Sequence, residues 1–316
     1  MKKRSLSMTF HTRGGRVPLS LLRALAEESM VHGSGTLSLG SRQDIIVPGV
    51  ARHAQQYVRQ AVAPDLGEHN PDQPNIVTTR SVTARSHRTD WLSEGTYDTI
   101  LESFANAPDI AVDIVDPRQT YVPIFTGRLH FVATAEPDYW MVSLNNGPNY
   151  HRTSLSNAIH SHDIAQVTAL IQDNIATTAS VDLPALNESI EVALGSRVKT
   201  LDGLPLSFPT SSRPLAGFVL DPKSDCFSLS IPLQSQDLPG PFLVDTAVLA
   251  DRYGITTAHL TPWRSVLLHG IPRSKRVDFE KLLLHHRISL NPGAWDHLCL
   301  NGWRTPPLTA QARRLL

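Results

Sequence analysis

Residues 17–50 read VPLSLLRALAEESMVHGSGTLSLGSRQDIIVPGV, and residues 242–271 read FLVDTAVLADRYGITTAHLTPWRSVLLHGI. The two stretches share an order of events. Leu25-Ala26 matches Leu249-Ala250 and a glycine-containing break follows. A short alternating strand, Leu37 to Leu39 or His259 to Thr261, then runs into Ser41-Arg42 or Trp263-Arg264. A second apolar strand closes each copy, Ile45 to Val47 and Val266 to Leu268. Leu21, Leu22, Leu25 and Ala26 fall at helical spacing, whereas the segments after each break are short and strand-like. A strand precedes each copy, Ser5 to Thr12 and Cys226 to Pro232, and a helix follows each, Ala51 to Ala63 and Val277 to His285. Each copy therefore reads as a β-α-β-β-α unit. Such a unit alone leaves sheet edges and one apolar face uncovered, so pairing the two copies is the economical way to bury both.

Between the copies lies a region of different texture. Proline-rich polar bridges, Pro64 to Pro74 and Ser207 to Pro214, bound it. Inside, Asn75 to Ala84 reads as a strand entering a loop and Thr96 to Asn106 as a helix. Leu129 to Thr134 and Trp140 to Leu144 read as strands, and Ser161 or Asp163 as the cap of a helix carrying Ile164, Val167, Leu170 and Ile171. The expected fold class is α+β: two half-domains forming a pseudo-symmetric pair, with an inserted α/β domain. The expected layout is residues 1–63 and 214–290 for the half-domains, 75–206 for the insertion and 291–316 for a C-terminal tail.

Composition narrows the function. The 316 residues carry 29 basic and 29 acidic side chains, a formal net charge of zero, which does not supply the clustered positive charge that nucleic acid requires. No stretch approaches the roughly 20 apolar residues of a membrane span, and the basic start Met1-Lys2-Lys3-Arg4 lacks the apolar run of a signal peptide. The cytoplasm is the expected location, with neither nucleic acid nor membrane as partner. Cys226 and Cys299 are the two cysteines, which gives neither a disulfide framework nor a metal site built from cysteine pairs. His160-x-His162-Asp163 has metal-ligand spacing but also the residues of a helix start. His32-Gly33-Ser34-Gly35 lacks the Lys-Ser/Thr of a P-loop and follows a helix, so it reads as a helix stop.

The paired repeat and its insertion resemble the nitrite and sulfite reductase family. Gly40-Ser41-Arg42-Gln43-Asp44-Ile45 matches the turn of the first ferredoxin-like half-domain, and Leu260-Thr261-Pro262-Trp263-Arg264 that of the second. Asn75 to Ala84 is similar to a family segment ending in an arginine, with Arg80 at the matching place. Phe125-Thr126-Gly127-Arg128-Leu129-His130-Phe131 occupies the place of a basic-x-basic strand. The resemblance implies sirohaem as cofactor and a small oxyanion, nitrite or sulfite, as substrate. The family's 4Fe-4S cluster is held by four cysteines, of which Cys299 alone has a counterpart here; six positions on stands Thr305, and the sequence ends at Leu316. The resemblance therefore implies a half-domain portion that depends on a cluster-bearing reductase subunit, or on a rubredoxin- or ferredoxin-type electron donor.

By the same resemblance, Arg42, Arg80, Arg128 and His130 are the candidate catalytic residues, and Arg42, Gln43, Arg80 and Arg85 the candidate cofactor-binding residues; no metal ligand is expected. Guanidinium forks suit carboxylates and oxyanions, and positive charge stabilises the negative charge that builds during reduction. Arg128 and His130 stand two apart on an expected strand and so share a face. Histidine in place of a family lysine weakens charge and proton supply near neutral pH. A second reading stands beside each: Arg42 as a bridge between the two half-domains through carboxylates, Arg80, Arg85 and Arg88 as a solvated loop face, His130 as a satisfied sheet residue. Two functions follow, a reductase-like oxidoreductase component completed by a partner, and a redox-silent relative that holds a tetrapyrrole, an anion or an electron-transfer partner.

Overall fold

The computed structural model describes residues 5–12, 14–66, 76–78, 89–117, 126–146, 151–177, 182–200, 216–221, 224–233 and 237–290. The first copy of the repeat comprises β1 (Ser5–Phe10), β2 (Arg16–Pro18), α1 (Leu19–His32), β3 (Thr36–Leu39), β4 (Ile45–Ala51) and α2 (Gln55–Leu66). The middle region comprises β5 (Ile76–Thr78), α3 (Glu94–Ser103), β6 (Val112–Val115), β7 (Leu129–Ala133), β8 (Tyr139–Asn146), β9 (His151–His160), α4 (Ile164–Thr177), α5 (Leu183–Leu194) and β10 (Lys199–Thr200). The second copy follows β11 (Gly217–Asp221) and comprises β12 (Cys226–Pro232), β13 (Leu238–Pro239), α6 (Gly240–Asp251), β14 (Thr257–Leu260), β15 (Ser265–Pro272) and α7 (Arg276–His285).

The copies repeat each other at a constant offset, Pro18 to Pro239 and Leu39 to Leu260. In the first, Ser5 faces Ala51 and Phe10 faces Ile45; in the second, Cys226 faces Pro272 and Ile231 faces Val266. Even the register irregularity recurs, between Leu6 and Met8 and between Phe227 and Leu229. This offset aligns Leu25-Ala26 with Thr246-Ala247, not with Leu249-Ala250, and Arg42 with Trp263, not with Arg264. A three-residue slip along a helix keeps its apolar face nearly in place, so periodicity could not fix the helical register. The repeating unit also contains one strand more than expected. Short β2 and β13 each lead into a helix through a proline, and each pairs with the other copy: Val17 faces Ala258 on β14, and Leu238 faces Leu37 on β3.

That exchange gives the two copies one core. Phe10, Leu25, Ile45 and Val58 share a single cluster with Phe242, Leu260, Val266 and Phe279, all at most 2% exposed. Burying side chains of this size stabilises by about 1.5–3 kcal/mol each, so neither copy retains its core without the other. The middle region has a separate core under a six-stranded sheet of order β10-β9-β8-β7-β6-β5, with Ile100, Phe131, Trp140, Ile159 and Ile171 fully buried. Here β5, β6 and β7 run parallel and β7 to β10 antiparallel. Helix α3 begins two residues earlier than expected, because Ser93 accepts from the Thr96 amide and Thr96 closes the reciprocal bond. Helix α4 is entered through a 3-10 turn, Ser161–Asp163, so the cap falls on His160 and not on Ser161 or Asp163. The Ser161 hydroxyl instead accepts from Trp140 Nε1 at 2.8 Å, and Asp163 pairs with Arg197. Among the described residues, no helix is long and apolar enough to cross a membrane.

Candidate functional site

The two units meet through polar groups at the turn between β3 and β4. Gly40 N donates to Asp44 O at 2.9 Å and closes this turn, and Gln43 sits in it at φ +62°. The Gln43 side chain is fully buried. Its Nε2 donates to Thr78 O at 2.9 Å on β5 and to Leu260 O at 2.6 Å on β14, and its Oε1 accepts from Thr78 N at 3.0 Å. The Thr12 hydroxyl donates to Gln43 O at 2.7 Å. One side chain thus ties both copies to the middle region. Gly14 and Gly15 pass alongside: Gly14 N donates to Ile76 O at 2.8 Å, and Leu260 N donates to Gly15 O at 2.7 Å. At Gly15, φ +77°, a Cβ would lie 2.4 Å from Gln43 Nε2, so the position admits only glycine.

Arg42 leaves the same turn toward the middle sheet. Its Nη1 donates to Asp113 Oδ1 at 2.9 Å and to Thr126 Oγ1 at 2.8 Å, and its Nη2 to Val112 O at 3.2 Å; the side chain is 18% exposed. Asp113 lies on β6, between β5 and β7, where its neighbours Val112, Ile114 and Val115 are all buried. Its Oδ2 accepts from the Thr126 and Gly127 amides, both at 2.7 Å, and from His130 Nδ1 at 3.1 Å. The Thr126 hydroxyl adds a contact to Oδ1 at 3.3 Å. Asp113 and His130 face each other directly across β6 and β7, and neither has any exposed surface. Burial pushes the Asp113 carboxyl up, but the His130 hydrogen bond and charge, the Arg42 charge and the Gly127 amide outweigh it and hold it below the ordinary carboxylate value. The group is a buried carboxylate, satisfied on both oxygens.

Of the residues chosen from sequence, Arg42, Gln43 and His130 are brought to this junction. Arg42 does bridge units through a carboxylate, but the carboxylate belongs to the middle region and not to the second half-domain. His130 is a buried sheet residue. Arg128 is exposed and precedes β7, so it shares no accessible face with His130. Arg80, Arg85, Arg88, Phe125, Cys299 and Thr305 lie outside the described residues. Asp113 was not anticipated. Its signal in the sequence is an acidic residue inside Ala111-Val112-Asp113-Ile114-Val115, an apolar run of buried-strand length. His160 and His162 stack at 5.1 Å between centroids, and His160 Nδ1 accepts from the His162 amide; among the described residues no three side chains are grouped to hold a metal.

Sirohaem carries carboxylates around its whole rim and needs several uncommitted cations or amides. Among the described candidates, Gln43 spends its amide on Thr78 and Leu260, Arg42 is charge-matched by Asp113, and His130 is buried. Arg128 is exposed, and Arg42 keeps 18% of its side chain open to solvent. These described donors alone do not fit a polyanionic macrocycle, Arg80 and Arg85 lying outside the described residues, and Cys226, the one cysteine among the described residues, does not make a four-thiolate cage.

Comparison with known proteins agrees with the repeat. The family described as Nitrite/Sulfite reductase ferredoxin-like half domain matches residues 1–64 and 223–286. No curated protein matches the chain in sequence. Among solved structures, the Mycobacterium tuberculosis NirA protein superposes with a TM-score of 0.66 at 14% identity, over 90% of this chain and 57% of that one. The fold is shared, and this chain spans little more than half the length of that relative. Both copies of the repeat match the nitrite/sulfite reductase ferredoxin-like half domain, and that match relates the chain to the nitrite and sulfite reductase family.

Proposed function

We propose that the chain is a redox-silent relative of these reductases, a binding and scaffolding component that holds an electron-transfer or reductase partner on a rigid platform and performs no reduction itself. The observation that carries this reading is the Asp113 carboxylate. A site that reduces an oxyanion needs net positive charge facing its substrate. Here a fully buried anion takes up both Arg42 and His130. The platform is read as a pseudo-symmetric pair of half-domains, residues 1–63 and 214–290, carrying residues 75–206 as an insertion.

The competing reading, an oxidoreductase component that binds sirohaem and borrows a cluster from a partner chain, is favoured by the shared half-domains and the NirA-like fold. Protein purified anaerobically from its native host separates the two. The redox-silent reading expects an ultraviolet-visible spectrum of protein alone, with no iron or acid-labile sulfide. Sirohaem absorption together with sulfide would establish the reductase reading.

A further inference from the structure

We propose that Asp113 is an internal anion: the Arg42 guanidinium, the Thr126 hydroxyl, the Thr126 and Gly127 amides and the His130 imidazole form an oxyanion site whose ligand the chain supplies from its own β6. The donors are of the kinds that recognise a small carboxylate or oxyanion, a guanidinium, two consecutive backbone amides and a ring nitrogen. They converge from two units, Arg42 from the β3–β4 turn, Thr126 and Gly127 from the segment leading into β7 and His130 from β7 itself, on one group without exposed surface. Both amides lie 2.7 Å from the same oxygen, the short distance expected of charge-assisted bonds. Gly127 is required by this approach, since a Cβ there would stand 2.6 Å from Ala111 O and 2.9 Å from Asp113 Oδ1. Deleting the carboxylate leaves the donors in place around a space of carboxylate size. An external anion of one or two carbons then takes the vacated position.

This deepens the reading above by naming what occupies the site, and the two fail separately. Sirohaem binding by the unaltered chain would refute the first, whereas the second is read from variants and a simple salt. The experiment is thermal unfolding of the full chain and of Asp113→Ala and Asp113→Asn, each in sodium formate and in sodium chloride at equal ionic strength. Asp113→Ala should gain a saturable rise of several degrees in formate over chloride. The parent, which carries its own carboxylate, and Asp113→Asn, whose amide fills the volume, should show none. An equal response of Asp113→Ala to both salts, or an equal formate response in the parent, overturns the proposal. If Asp113→Ala does not fold in chloride, refolding from urea into each salt reads the same quantity. Recovery in formate alone supports the internal anion, and recovery in neither overturns it.

Discussion

Gln43→Ala strips the junction of its central side chain. It removes the bonds from Nε2 to Thr78 O and Leu260 O and from Thr78 N to Oε1. Three net hydrogen bonds at about 1 kcal/mol each set the lower bound, and stranding their backbone partners in a buried position adds to it, for a total of about 3–5 kcal/mol. For a chain of this size that lowers the unfolding midpoint by about 5–8 °C. Because the half-domain pair and the middle region have separate cores, the loss should also uncouple them. Circular dichroism during urea unfolding should show the parent's transition split into two. Gln43→Gly loses the same bonds but suits φ +62°, and should be about 1 kcal/mol less harmful than alanine. A change under 1 kcal/mol, or a glycine variant worse than the alanine one, would refute the reasoning.

Gly15→Ala should cost at least about 2 kcal/mol, since its Cβ meets Gln43 and Leu260 O within 2.5 Å, while Gly35→Ala, with φ +79° and open space around it, should cost only about 1 kcal/mol of backbone strain; paired urea melts compare them. Arg42→Ala leaves Asp113 buried with its amide, Thr126 hydroxyl and His130 partners, and should destabilise by about 2 kcal/mol, less than the usual loss for a broken buried pair because those partners remain. Because the folded Asp113 pKa is lowered, its stabilisation is present above the unfolded value of 3.8 and is lost as pH falls through the lower folded value. Asp113→Asn should therefore flatten the acid limb of a stability-against-pH curve, and an unchanged limb would contradict the network.

What the sequence revealed and what it hid divide along one physical line. The repeat was readable because β1 and β12 place apolar residues at alternate positions while β4 and β15 each carry a run of three, Ile45 to Val47 and Val266 to Leu268, and Cys226 to Pro232 was found with its observed ends. The exchanged strands β2 and β13 escaped notice because three and two residues carry no period, and only partners far along the chain make them strands. The site residues split in the same way. Arg42 and Gln43 stood out because the turn resembles a known family's, but no composition rule reveals the burial of the Gln43 side chain or its positive φ. Asp113 was hidden because its meaning depends on Arg42 and His130, 71 and 17 positions away. Both half-domain turns hold a left-handed residue, Gln43 in one and Arg264 in the other, and in the second copy it is exposed. The same backbone thus serves the junction only where glutamine occupies it.

The most direct test of the account is an absorbance titration of sirohaem with the unaltered chain. The account predicts that the sirohaem spectrum does not change and that tryptophan fluorescence is not quenched, because Asp113 already satisfies the donors. Saturable binding at micromolar concentration with a shift of the sirohaem bands, lost on Arg42→Ala, would contradict it.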